Sequence, residues 1–189
     1  MLWKTIARKY ILGSMRIIAG KLGGLLFKAP RGRRTHPMSD RIKGAIFNSL
    51  GSIEGLSILD AFAGSGSLAY ESVSRGASVV VAVESDKRAV KIMKENVEKL
   101  RIQNQCKVVH ANVSSWSSNN KEQTFDIVIA DPPYDVPRPE LLQKLTRHTK
   151  DNGLFILSWP AKTDLPELEG LKLDDIRQYS GAQVAYYTK

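Results

Sequence analysis

The sequence predicts an α/β domain built on a mostly parallel sheet, and three observations carry that reading. Strand-like apolar runs alternate with amphipathic helical stretches from about residue 57 to residue 158. The first run passes through a glycine turn, Gly64-Ser65-Gly66, straight into a helical pattern. The chain then closes on two β-rich segments flanking Ser180-Gly181, the pattern of an antiparallel hairpin.

Each element has a local reason. Residues 1–14 carry Lys4, Arg8 and Lys9 without an acid and have poor helical spacing, so they are expected to be an extension, disordered or nearly so. Residues 16–19 and 25–28 read as short strands joined through Gly20, Gly23 and Gly24, a hairpin. The proline- and glycine-punctuated stretch 29–37 is a loop carrying Arg31, Arg33 and Arg34. Ser39 caps a helix over 40–50 whose Ile42, Ala45, Ile46 and Leu50 face inward, with Arg41 and Lys43 expected outside. Strand 57–61, helix 67–75, strand 78–83, helix 87–100 and strand 106–110 follow. A polar loop is expected over 114–123, then strand 125–130, helix 139–149 and strand 153–158. Strands 172–179 and 182–188 form the closing hairpin. A boundary is expected near 51–55, dividing a basic module, 15–51, from the α/β domain, 52–189.

The bulk properties narrow the function classes. Of the 28 Lys and Arg, eleven lie in residues 1–48 against one acid, Asp40, so +10 sits there and the remaining 141 residues sum to −1. A basic face on a near-neutral domain is the footprint of a nucleic-acid partner. The single Cys106 and three scattered histidines give neither a disulfide nor metal-ligand spacing, so no metal is expected and a reducing compartment fits. No apolar run approaches the ~20 residues of a membrane span, and 1–14 lacks the long apolar core of a secretory signal. A cytoplasmic protein, without a membrane partner and monomeric, is expected.

The glycine turn implies a cofactor. Gly64 to Ala69 matches the G-x-G-x-x-G/A pattern, and Glu84 lies twenty residues after Gly64, at the end of the next strand, where a carboxylate holds ribose hydroxyls. NAD, FAD and S-adenosylmethionine all present an adenosine ribose. Asp60 and Asp131 decide among them: a pyrophosphate is repelled by these carboxylates, whereas a sulfonium and an ammonium are attracted. S-adenosylmethionine is therefore the expected cofactor and S-adenosylhomocysteine the product. The turn residues Phe62, Ala63 and Ser65 and, beside Glu84, Ser85 complete this part of the expected cofactor site.

Asp131-Pro132-Pro133-Tyr134 is the most specific motif. Two prolines remove two N–H donors and stiffen the backbone, which holds the acceptors around them in place. An exocyclic amino group on a base suits such a cluster, with Asp131 and the Pro132 carbonyl accepting its two N–H bonds and Tyr134 stacking on the ring.

At these residues the chain resembles the RsmD family, bacterial methyltransferases that modify the exocyclic N2 of a guanine in 16S ribosomal RNA of the small subunit. The resemblance runs from Met15 nearly to the C-terminus. It includes Met15 to Gly20, Ser39-Asp40-Arg41, Phe47-Asn48, Leu59 to Gly66, Val83-Glu84, Asp131 to Tyr134 and Gln183 to Tyr186. It implies a seven-stranded Rossmann-like methyltransferase fold behind a short basic hairpin and helix. It further implies contact of Arg16, Lys28, Arg31, Arg33, Arg34, Arg41 and Lys43 with ribosomal RNA in the small subunit or an assembly intermediate. Two positions depart from the family pattern. Asn112, before Val113, stands where an Asp usually meets the adenine amino group, and His36 where an Arg is common.

Four other functions compete. A DNA adenine-N6 methyltransferase shares the chemistry but generally needs a recognition domain, and the 64 residues between Gly66 and Asp131 and the 55 after Tyr134 are consumed by the sheet. A protein glutamine methyltransferase leaves the basic arm unexplained. The intact motifs disfavour a non-catalytic RNA-binding or ribosome-assembly factor, and the paired carboxylates disfavour an NAD-dependent oxidoreductase.

Overall fold

The computed structural model describes residues 13–30, 38–134 and 138–189. Its centre is a seven-stranded sheet of β3 (Ser57–Asp60), β4 (Val79–Glu84), β5 (Cys106–His110), β6 (Phe125–Ala130), β7 (Thr149–Pro160), β8 (Lys172–Gln178) and β9 (Ala182–Thr188). Their spatial order is β5-β4-β3-β6-β7-β9-β8. β3 to β7 run parallel, while β9 pairs antiparallel with both β7 and β8. A separate two-stranded ribbon pairs β1 (Ser14–Arg16) with β2 (Leu26–Lys28). This is the seven-stranded Rossmann-like methyltransferase fold with its antiparallel C-terminal hairpin.

The period-two alternation of the strands divides the core into two layers. Ile58, Val80, Ala82, Ile127, Ile129, Ile156 and Val184 face one side of the sheet. Leu59, Val81, Val83, Val128, Phe155, Leu157 and Ala185 face the other. The first side is covered by α1 (Asp40–Leu50), α2 (Ser67–Ser74), α3 (Lys87–Leu100) and the N-terminal ribbon. The second is covered by α4 (Val113–Asn119) and α5 (Pro139–Thr146). The covering layer changes sides where strand order reverses, between β3 and β6, which opens a crevice at their carboxyl ends.

Helix α3 shows why these residues form these elements. Asp86 caps it by accepting from the amides of Arg88 (2.7 Å) and Ala89 (2.9 Å), and Val90, Met93, Val97 and Leu100 are buried at helical spacing. Arg101 then ends it in a left-handed conformation (φ 58°).

The N-terminal segment is stitched to α2. Glu71, fully buried, accepts the amides of Ile18 (2.7 Å) and Ala19 (3.1 Å) and the Nε of Arg75 (2.7 Å). Ser74 accepts the Leu22 amide at 2.9 Å and donates to the Ala19 carbonyl. Ile17, Phe27, Ile46 and Phe47 share the core of the sheet.

Several elements differ from the sequence expectation. The first strand is Ser14–Arg16, not 16–19, because the Ile18 and Ala19 amides bond to Glu71 instead of a neighbouring strand. The region expected as a polar loop contains α4: Asn112 caps it through the Ser114 amide (2.9 Å), and Val113, Trp116 and Ser117 are buried on one face. Helix α5 stops at Thr146, ahead of the expected 149. His148 is there fixed by the Gln123 carbonyl (2.7 Å) and Ser117 Oγ (2.8 Å), and Thr149 already belongs to β7. Residues 1–12, 31–37 and 135–137 are outside the described residues, and with them most of the expected extension, His36, and the expected contacts Arg31, Arg33 and Arg34.

Candidate active site

The glycine turn leaves the sheet from between its two central neighbours. Just after β3, the Ala61 amide donates to Ile129 of β6 (3.0 Å) and the Ala63 amide to Val83 of β4 (2.9 Å). The chain then turns tightly: Gly66 donates to the Ala63 carbonyl (2.7 Å), with Gly64 at φ 52° and Gly66 at φ 80°. Both are left-handed conformations that glycine adopts without strain. A Cβ on Gly66 would stand 2.5 Å from the Tyr70 ring, so the side chain that packs beneath the turn also enforces its glycine.

Three carboxylates meet at this end of the sheet. Glu84 closes β4 and fixes the turn, its Oε2 accepting the Gly64 amide at 2.7 Å and its Oε1 the Asp86 amide at 2.7 Å. Asp60, the last residue of β3, is buried to 1% exposure, and neither of its oxygens makes a hydrogen bond of full geometry, although the backbone amides of Ala69 and Phe62 lie close enough to favour its charged form. Burial pushes its pKa up to about 8, with the charges of Asp131 and Glu84 adding to the rise and the amide dipoles of Ala69 and Phe62 opposing it. Asp131, half-buried just past β6, is lifted to about 6 by loss of solvent, against a hydrogen bond from Ser158 that draws it down. Buried polar groups without partners are rare in native folds. An orphaned carboxylate beside two others fits a cationic ligand and opposes a pyrophosphate. Among the described residues no group of three or more His, Cys, Asp or Glu is placed to hold a metal ion.

Ser158 is the residue that sequence reasoning missed. It lies near the end of β7, buried at 2% exposure, and its Oγ is 2.5 Å from the Tyr134 hydroxyl. One serine therefore ties the aromatic and the acid of the Asp131-Pro132-Pro133-Tyr134 motif together. When the tyrosine donates to Ser158, the serine's own proton is directed to Asp131. The signal available in the sequence is a lone serine within the apolar run 154–159, at the carboxyl end of its strand, the end where open α/β sheets bind ligands. Pro132 is buried, while Pro133 and Tyr134 are exposed, Tyr134 by 39%.

The remaining expected cofactor residues line the same edge. Phe62 is half-buried and Ala63 and Ser65 are buried in the turn. Ser85 is exposed beside Glu84, its carbonyl 3.1 Å from His110 Nε2. Asn112 is exposed, with its amide oxygen engaged in capping α4, and Val113 is buried behind it. The Ala111 amide bonds to the Glu84 carbonyl (3.0 Å), which holds this loop against β4.

The basic positions divide. Arg16 and Arg41 are exposed, and Lys28 is exposed while paired with Glu95 at 2.8 Å. Lys43 contradicts the expectation of an outward charge. Its side chain is fully buried, with Nζ donating to Ser67 Oγ (2.7 Å) and the Arg16 carbonyl (3.3 Å) and pairing with Asp40 (3.2 Å). The reason is helical periodicity: Lys43 is three and four residues before Ile46 and Phe47, so it stands on the buried face. It joins α1 to the helix of the glycine turn and offers nothing to a partner.

Comparison with known proteins gives the family and the fold. The pattern of the family described as Conserved hypothetical protein 95 matches residues 15–188. Ribosomal RNA small subunit methyltransferase D of Escherichia coli is 33% identical over 142 residues, 75% of this chain and 69% of that protein. The protein of the same name in Haemophilus influenzae is 35% identical over 134 residues, 69% of each chain. YlbH of Bacillus subtilis is 31% identical over 182 residues, 93% of this chain and 99% of YlbH. The solved structure of yhhF from Escherichia coli superposes with a TM-score of 0.84 at 27% identity, covering 94% of this chain and 98% of that one. SMU.776, solved in complex with S-adenosylhomocysteine, shares the fold at 16% identity and a TM-score of 0.66, over 79% of this chain and 48% of that one. With its sequence matched almost end to end and its glycine turn, Glu84 and Asp131-to-Tyr134 motif gathered at one sheet edge, this chain belongs to the RsmD family.

Proposed function

We propose that the protein is an S-adenosylmethionine-dependent ribosomal RNA methyltransferase acting on the exocyclic N2 of a guanine in 16S RNA of the small subunit. The observation that carries the cofactor is the orphaned Asp60 carboxylate beside Glu84 and the glycine turn. The names of the relatives support the RNA, and the choice of guanine N2 rests on the family resemblance.

Bound at this turn, S-adenosylmethionine supplies an electrophilic methyl group and leaves as S-adenosylhomocysteine. The chain's own residues do the rest. Glu84, held against the glycine turn, takes the ribose hydroxyls, Asn112 and Val113 border the adenine, and Asp60 faces positive charge. Asp131 and the Pro132 carbonyl accept the two N–H bonds of the amino group, Tyr134 stacks on the base, and Ser158 holds acid and aromatic in register. Positioning of this kind supplies on the order of 7–11 kcal/mol. With its pKa near 6, Asp131 is ionised at neutral pH and basic enough to take the proton the alkylated nitrogen sheds.

The basic segment 15–51, through Arg16, Lys28 and Arg41 and with Arg31, Arg33 and Arg34 beyond the described residues, supplies the contact with folded RNA. The protein works as a cytoplasmic monomer in this reading. Among the described residues no helix is long and apolar enough to cross a membrane.

The test is transfer of labelled methyl from S-adenosylmethionine to undermethylated small subunits, free 16S RNA and duplex DNA. Label in subunits or RNA, lost in Asp131→Ala, supports the reading. Label in DNA adenine promotes a DNA enzyme, and cofactor binding without any transfer promotes an assembly factor.

A further inference from the structure

A cleft of about 240 Å³ lies between the start of α1 and the β8–β9 turn, lined by Ser39, Arg41, Ile42, Gln178, Tyr179 and Ser180. It is on the same edge of the sheet as the carboxylates. β9 runs antiparallel to β7 with Ala182 opposite Pro160, so the turn projects from the carboxyl end of β7, two residues beyond Ser158. β8 is three strands from β6, whose end carries Asp131, a lateral distance of about 14 Å at ordinary strand spacing. A splayed single strand of RNA spans that distance in a few nucleotides.

The walls are fixed and chemically mixed. Gln183 donates to the carbonyls of Pro160 (3.0 Å) and Thr163 (2.6 Å) and accepts from Gln178 Nε2 (2.9 Å), so one chain of amides locks the cleft to the end of β7. Gln178 keeps its own amide oxygen as an acceptor. The Tyr179 amide donates to Ala182 (2.8 Å), and its ring is half-buried against the core that also takes Met38 and Ile42. Arg41 is exposed and forms no ion pair with any described residue. The volume is below the roughly 300–1,000 Å³ of sites that enclose a whole small molecule, and suits one base and its phosphate from a longer polymer.

Resting on the reading of the protein as an RNA methyltransferase, we propose that this cleft binds a nucleotide neighbouring the target, its base stacked on Tyr179 and its phosphate held by Arg41. It selects a single-stranded, splayed RNA segment, which a continuous duplex does not present. Tyr179 carries no special mark in the sequence, where it reads as the last residue of a strand.

The experiment uses the full chain with undermethylated small subunits as methyl acceptor. Tyr179→Leu raises KM for the subunit about tenfold, within the range of losing one base–aromatic stack, while calorimetric affinity for S-adenosylmethionine holds. Tyr179→Phe, which keeps the ring, restores KM. Arg41→Gln weakens subunit binding and lowers the salt slope by about one phosphate contact. Wild-type KM in Tyr179→Leu, with RNA methylated normally, overturns the cleft and leaves the function standing. A loss confined to cofactor affinity or melting temperature also overturns it, by making Tyr179 a packing residue. Absence of RNA methylation by the wild type, with cofactor bound, retires the function and the cleft together.

Discussion

Replacing Asp60 by asparagine tests whether the site keeps a destabilising carboxylate for the sake of a ligand. In the fold this carboxyl titrates at about 8, against an ordinary 3.8. Its raised value means that the native state prefers the proton, so its contribution to stability is fully present below pH 3.8 and is lost as pH rises toward 8. The slope is about 1.4 kcal/mol per pH unit, which accumulates to roughly 4 kcal/mol by pH 7. The amide of the Asp60→Asn variant has no such proton and escapes that loss. Urea unfolding of the ligand-free proteins at pH 4, 5.5, 7 and 8 measures the difference. Asp60→Asn gains on the wild type steadily across that range, and in the same preparation loses at least tenfold in affinity for S-adenosylmethionine. Asp131 titrates in both proteins and cancels. Parallel stability curves would refute the reasoning, because a carboxyl that ionises freely in the fold is neither buried nor orphaned.

Further outcomes follow from single contacts. Gly66→Ala meets both a left-handed φ of 80° and the Tyr70 ring at 2.5 Å, and costs about 1–3 kcal/mol in unfolding measurements while weakening cofactor binding. Ser158→Ala removes the hydrogen bond that draws Asp131 down, so the acid limb of the pH–rate profile moves above about 6 and kcat falls, with cofactor affinity retained. Lys43→Met leaves Ser67 Oγ and the Arg16 carbonyl without their donor and lowers stability by about 1–3 kcal/mol, yet leaves the salt slope of RNA binding unchanged. Glu71→Gln removes the charge facing Arg75 and leaves one acceptor oxygen where there were two, setting an NH2 group against either the Ile18 amide or the Ala19 amide and Arg75; it loosens the N-terminal segment from α2 and costs about 3–5 kcal/mol by chemical denaturation.

What could be read from the sequence was whatever is encoded locally. The alternation of β3 to β7 with their helices, the glycine turn, Glu84 at the end of β4 and the Asp131-to-Tyr134 motif each carry their signal within a few residues. Their convergence on one sheet edge follows from parallel topology. The misreadings have a common cause in long-range partners. Ile18 and Ala19 look like a strand until Glu71, more than fifty residues away, takes their amides. Ser158 is an unremarked serine until Tyr134 and Asp131 stand beside it. Helix α4 is masked by four serines among residues 113–119, and only the burial of Trp116 against His148 and Phe125 makes it worth forming. Lys43 is different. Its spacing from Ile46 and Phe47 already places it on the buried face, and its charge obscured a periodicity that was present.

The most direct test of the central claim is the identity of the methylated nucleoside. Undermethylated small subunits are incubated with S-adenosylmethionine and either the wild type or Asp131→Ala, and the 16S RNA is digested and resolved by mass spectrometry. N2-methylguanosine appears with the wild type and is absent with the variant if Asp131 positions a guanine amino group at this site. Methylated adenosine, or N2-methylguanosine formed equally by the variant, would contradict the account.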